Sequence, residues 1–147
     1  ANGLTDQLVL LRHGAVAQIT LYDLATGDPV WDEGLGGAPV ALSVVPGDSV
    51  SSARCYVAEQ FGWLVSYDGA GKRVLAAHVA RSLSGLHANT NVVMVWNREQ
   101  LFVLHEGRME EHPLEGAEPL GWYDNPERPG LLCVHDSRLV LMASPAP

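Results

Sequence analysis

The chain has 147 residues and a formal net charge of −8, long enough for one domain with a core of its own. It is too acidic to suit a nucleic-acid partner, whose phosphates are held by Lys and Arg. No run approaches the roughly 18 to 20 uninterrupted apolar residues of a membrane helix, and the N-terminus shows neither the charged n-region nor the apolar h-region of a secretion signal, so no membrane insertion is expected.

Alternating apolar residues predict strands at 8–12 and 19–24. The second runs into the turn 23–27, Asp-x-x-Thr-Gly, and out again through Trp31 in a strand at 30–33, which is a hairpin with its turn chemistry written in. Further strands are predicted at 40–45, 55–61, 63–68 and 73–79, the last two joined by Gly69, Ala70 and Gly71. Residues 75–83 also have some helical potential and are assigned to strand. A weak strand at 86–90 precedes strands at 92–96, 101–106 and 109–114, and the chain ends with strands at 120–123, 131–135 and 139–143. The connections at 34–39, 46–53, 81–91 and 125–130 are rich in Gly, Pro, Ser and Asn, as loops between strands are.

The hairpin recurs. Taking Tyr22, Tyr67, His105 and Met142 as equivalent, the steps are 45, 38 and 37 residues. That period, carried by alternating strands without a 3.6-residue stripe, fits a four-stranded propeller blade and no helical repeat. The expected fold is all-β: one β-propeller domain over residues 1–147 with four visible blades, in which fourteen of sixteen strands are present and the first and last blades are each one short. Propellers close a ring to remove their sheet edges. The length is short even for four blades, so the chain is expected to be part of a larger or shared ring rather than one that closes on itself.

Residues Leu21, Tyr22, Asp23, Leu24, Ala25, Thr26 and Gly27 resemble the end of the third strand of a WD40 blade, with Tyr in place of the usual Trp. Asp23, Thr26, Gly27 and Trp31 together also resemble the tryptophan-docking repeat of pyrroloquinoline-quinone-type propellers. The resemblance implies that Asp23 and Thr26 satisfy turn amides, that Gly27 takes a backbone conformation other residues resist, and that Trp31 packs between neighbouring blades. Tyr67, Asp68 and Gly71 repeat part of the pattern. No Gly-His dipeptide of the WD40 kind precedes a blade, and the adjacent cysteines that quinone-dependent dehydrogenases place beside their cofactor are absent. No catalytic, cofactor or metal residue is therefore carried over.

Cys55 and Cys133 fall two repeats apart, too far to bridge, and are expected to be buried free thiols. They make no demand for an oxidising compartment, which favours a cytoplasmic location over a periplasmic or secreted one. His13, His78, His87, His105, His112 and His135 have no ligand spacing; His13 and His135 each end a strand and could share a rim. Ser43, Ser66 and Ser84 lack a Gly-x-Ser-x-Gly frame. Glu106, Glu110, Glu111, Glu115 and Glu118, with Asp23, Asp28, Asp32 and Glu33 nearby in repeat space, read as a solvated face, with a docking face for a basic partner as the alternative. Loops on a rigid scaffold carry recognition, and Trp and Arg are frequent hot spots, so Trp122, Tyr123, Asn125 and Arg128 are the candidate interaction residues, against a reading in which Trp122 and Tyr123 pack in an inner strand. The functional expectation is a noncatalytic propeller scaffold for protein–protein interaction or complex assembly, its protein partner including whatever completes the ring and with no cofactor of its own. A ligand-binding sensor propeller and one wall of a propeller enzyme remain the alternatives, because the fold hosts all three.

Overall fold

The computed structural model describes residues 7–12 and 16–143. Among these residues every regular element is a β-strand, fourteen in all, and no helix is long and apolar enough to cross a membrane. The chain divides into two compact units, Ala1–Leu83 and Ser84–Pro147.

The first unit holds two sheets. Strands β1 (Gln7–Arg12), β2 (Gln18–Asp23) and β3 (Pro29–Gly34) form one in the order β1-β2-β3. Strands β4 (Pro39–Val45), β5 (Arg54–Glu59), β6 (Trp63–Tyr67) and β7 (Arg73–His78) form the other, again in chain order. In the second unit β8 (Gly85–Ala88), β9 (Val93–Trp96), β10 (Gln100–His105) and β11 (Arg108–Pro113) make a four-stranded sheet. Strands β12 (Glu118–Tyr123), β13 (Gly130–His135) and β14 (Arg138–Ala143) make a three-stranded one. All paired neighbours are antiparallel. Each sheet is thus a meander of short hairpins, with the two-residue turn Asp136–Ser137 at positive φ on both residues, the turn geometry whose twist matches that of flanking strands.

The strands fall where the alternation puts them, with ends displaced by one or two residues. Residues 73–78 are strand, paired with β6 along Trp63 to Tyr67. Their tendency toward helix yields to a partner strand that satisfies the backbone N–H and C=O groups. As expected, the first and last sheets have three strands and the middle two have four. Strands β1 and β14 consequently pair on one side only among the described residues.

Alternation also builds the cores. In the first unit Ile19 and Leu21 of β2 meet Cys55, Val57, Val65 and Tyr67, all buried, with Trp31 packed against them. In the second, Met94, Trp96, Leu101 and Val103 meet Leu131 and Cys133, with Trp122 and Met142 against them. Each fully buried aliphatic side chain contributes about 1.5–3 kcal/mol, so these two layers of side chains, one per unit, dominate what holds the sheets face to face.

Candidate functional site

The turn at 23–27 is closed by its own side chains. Asp23 Oδ1 accepts from the backbone N–H of Ala25 at 2.8 Å and of Thr26 at 3.2 Å, and Thr26 Oγ1 accepts from Asp28 N–H at 3.2 Å. Gly27 sits at φ +75° and donates to the Asp23 carbonyl at 2.8 Å. The next blade repeats the device: Asp68 Oδ1 accepts from Ala70 at 2.9 Å and Lys72 at 3.0 Å, with Gly71 at φ +83°. Trp31 joins the two. Its indole N–H donates to the Gly69 carbonyl at 2.9 Å, and its ring lies 6.0 Å from that of Tyr67, so a residue of β3 reaches the β6–β7 turn of the neighbouring sheet.

The four candidate interaction residues differ in burial. Trp122, on β12, turns inward: it packs against the second unit's core and stacks on His87 at 4.6 Å, the ring planes 9° apart. Burial lowers the His87 pKa, partly offset by Asp124, so the stack is between neutral rings near neutral pH. The indole N–H of Trp122 is buried with no hydrogen-bond partner among the described residues, a cost of about 1–3 kcal/mol. Tyr123 and Arg128 are exposed, and Asn125 organises the loop between them, donating to the Tyr123 hydroxyl at 3.2 Å and accepting from Glu127 N–H at 2.8 Å. The reading that Trp122 belongs to an inner strand thus describes Trp122 but not Tyr123, which is 46% exposed.

The second unit carries a larger feature. The register pairs Leu132 with Leu141 and Val134 with Leu139, which puts these four side chains on one face, opposite to Leu131, Cys133 and Met142 in the core. Leu139 is 70% exposed and the other three are half-buried. Strand β14 therefore has apolar side chains on both faces, with Met142 on one packed against the core and Leu139 on the other exposed. Beside this face the outer edge of β14 is unpaired among the described residues.

The remaining sequence candidates do not assemble. His13 lies outside the described residues, and among the described ones no group of three or more His, Cys, Asp or Glu could hold a metal ion. Both cysteines are free and buried. The sequence reading missed Glu59, at the end of β5, which is only 4% exposed. Its carboxyl accepts from the backbone N–H of Gly36 and Gly37, which lower its pKa together with the Arg73 charge, yet burial outweighs them and raises it. The only local signal was an acid directly before the Gln60–Phe61–Gly62 bend, a position usually solvated.

No protein-family model and no curated protein matches the sequence. Solved structures do. The chain resembles the β-propeller domain of Cps50 (Swd1) from Myceliophteria thermophila, with a TM-score of 0.63 and 10% identity over 86% of this chain and 51% of that one. It resembles Kuenenia stuttgartiensis hydrazine synthase at TM-score 0.62 and 14% identity, covering 87% and 46%. It also resembles BBS1N in its complex with ARL6DN, at TM-score 0.60 and 13% identity, covering 88% and 44%. The chain spans about half the length of these structures. At such identities the likeness concerns the fold: the antiparallel meanders of this chain, with a Trp of the first docked on a turn of the second, are β-propeller blades.

Proposed function

We propose that this chain is a noncatalytic propeller segment, a single structural domain over residues 1–147, that serves as a scaffold for protein assembly in the cytoplasm. The observation that carries the reading is the last sheet, whose outer face offers Leu132, Val134, Leu139 and Leu141 beside the unpaired edge of β14. Apolar sheet faces and open edges promote association unless something covers them. Among the described residues the first and last sheets have three strands and the middle two have four. The occupant we propose is a different protein that covers this apolar face and pairs with the β14 edge. BBS1N, crystallised with ARL6DN, is a structural neighbour that holds a protein partner. The two buried free thiols suit a reducing compartment.

Leu139→Lys tests it, because a side chain 70% exposed can be charged with little effect on the isolated chain. Purified from its native host, the wild-type chain is expected in a complex heavier than its own 15.8 kDa that contains a second protein. The variant, with an unchanged circular dichroism spectrum, is expected to run as the free chain. A wild-type monomer, or a complex indifferent to the substitution, would remove the scaffold reading.

A further inference from the structure

The first unit contains a site that the assembly reading does not use. Between the end of β3 and the sheet face of β5, β6 and β7 lies an open pocket of ≈ 330 Å³. Its lining includes Glu59, Trp63, Val65, Tyr67, Arg73 and Ala76. Trp63, Val65 and Tyr67 alternate along β6 and so share one face, and the register sets Ala76 of β7 opposite Val65. Glu59, at the end of β5, supplies the acid of this lining, and Arg73, at the start of β7, supplies the base.

The two charges differ in setting. Glu59 is 4% exposed, whereas Arg73 is exposed. A carboxylate can accept about four hydrogen bonds, and the N–H groups of Gly36 and Gly37 supply two of them. Arg73 is close enough to act on Glu59 through its charge, yet the ion pairs within 4.0 Å among the described residues are His112–Glu110 and His135–Asp136, and Arg73 and Glu59 form none. A buried charge is costly without a partner, and here the counter-charge stands off at the rim. The pocket therefore has a negative floor, a positive rim and an aromatic and aliphatic wall.

Three ligand chemistries meet that arrangement differently. A simple cation would pair with Glu59 but be opposed by Arg73, and a simple anion would suffer the reverse. A molecule with an ammonium and a carboxylate a few bonds apart satisfies both and separates them. The volume lies at the small end of ligand sites, which run from about 300 to 1,000 Å³, so the molecule is compact. We propose that this pocket binds a free amino acid with an apolar side chain, its ammonium on the Glu59 carboxylate, its carboxylate on the Arg73 guanidinium and its side chain against Trp63, Val65 and Ala76. Charge-assisted hydrogen bonds at both ends give the recognition. The apolar wall sets the side-chain preference. The inference is independent of the assembly partner, since the pocket is built within the first unit and the face used for assembly is in the second.

Trp63 is 43% exposed and lines the pocket, so its fluorescence reports occupancy. The purified chain is titrated with L-leucine and L-phenylalanine, and then with N-acetyl-leucine, which lacks the ammonium, and leucinamide, which lacks the carboxylate. Saturable binding of the free amino acids is expected, with each blocked analogue weaker by about tenfold or more. In Arg73→Met, leucine and leucinamide should bind equally. Glu59→Gln, whose amide oxygen still accepts from Gly36 and Gly37, should lose leucine binding while keeping the native circular dichroism. Should Glu59→Gln fail to fold, Arg73→Met at an exposed position decides alone. No saturable signal at millimolar amino acid overturns the proposal, as does leucinamide binding as tightly as leucine to the wild-type chain, which would mark a plain cation site. Leucine binding unaltered by Arg73→Met overturns it too.

Discussion

Gly27 and Gly71 occupy equivalent turns under different constraints. Both have positive φ, +75° and +83°, but a Cβ on Gly27 would meet nothing within 4 Å, whereas one on Gly71 would lie 2.9 Å from the Trp31 ring. A non-glycine residue in the left-handed region costs about 1–2 kcal/mol, and that strain is the whole penalty at Gly27. At Gly71 the ring must also move. Gly27→Ala is therefore expected to lower stability by about 1 kcal/mol and Gly27→Val by somewhat more, with Gly71→Ala costing clearly more than Gly27→Ala. Urea unfolding midpoints check the order, and equal shifts at the two glycines would mean that Trp31 does not rest on Gly71. The turn residues were legible because their chemistry is local: Asp23 and Thr26 bond amides two or three positions away. Glu59 was not, since what buries it is a pair of glycine amides in the β3–β4 connection, more than twenty residues earlier in the chain, and an acid beside a hairpin bend reads from sequence as solvated.

At the scale of the strands, Trp31 does what no single sheet can do for itself. It leaves β3, bonds Gly69 at 2.9 Å and packs on Tyr67, fixing the first sheet against the second at a point where both run out into turns. Trp31→Phe keeps an aromatic ring but strips the N–H, leaving the part-buried Gly69 carbonyl without its indole donor, for an expected loss of about 1–2 kcal/mol. Trp31→Ala removes the ring as well; full truncations of core aromatics cost about 3–5 kcal/mol, and a half-buried ring should fall at the low end. A chemical-denaturation series would read this, and a Trp31→Ala variant as stable as the wild type would show that the sheets are held by the Ile19 and Leu21 layer alone. The strands themselves were legible because a period of two is a strong signal when one face is buried. The assignment of β8 was weak for the opposite reason: Gly85 to Ala88 is only four residues long, buried at Gly85, Leu86 and Ala88, and too short to show alternation. The β12 bulge between Pro119 and Gly121 breaks the alternation that the sequence pattern assumes. It is how Leu120 comes to be 57% exposed.

For the whole molecule, the two thiols report on the two cores separately. Repeat spacing placed Cys55 and Cys133 in different blades; that they also fall in different compact units was not legible, because the boundary at Leu83 is set by which side chains pack together rather than by any linker composition. Cys55 lies among Ile19, Leu21 and Val57, Cys133 among Leu131, Met94 and Val103, and neither has solvent-accessible surface. Burial pushes the Cys55 pKa up to about 12 and raises that of Cys133. The thiolate is the reactive form, so exclusion from solvent and suppressed ionisation act in the same direction. Both thiols should resist iodoacetamide in the native protein at mildly alkaline pH and react fully once unfolded. Followed by mass spectrometry of the separate Cys55 and Cys133 peptides under rising urea, labelling measures the opening of each core on its own. Rapid native labelling of either residue, or a Cys55–Cys133 disulfide on a nonreducing gel, would contradict the packing that places each thiol inside its own stack of sheets.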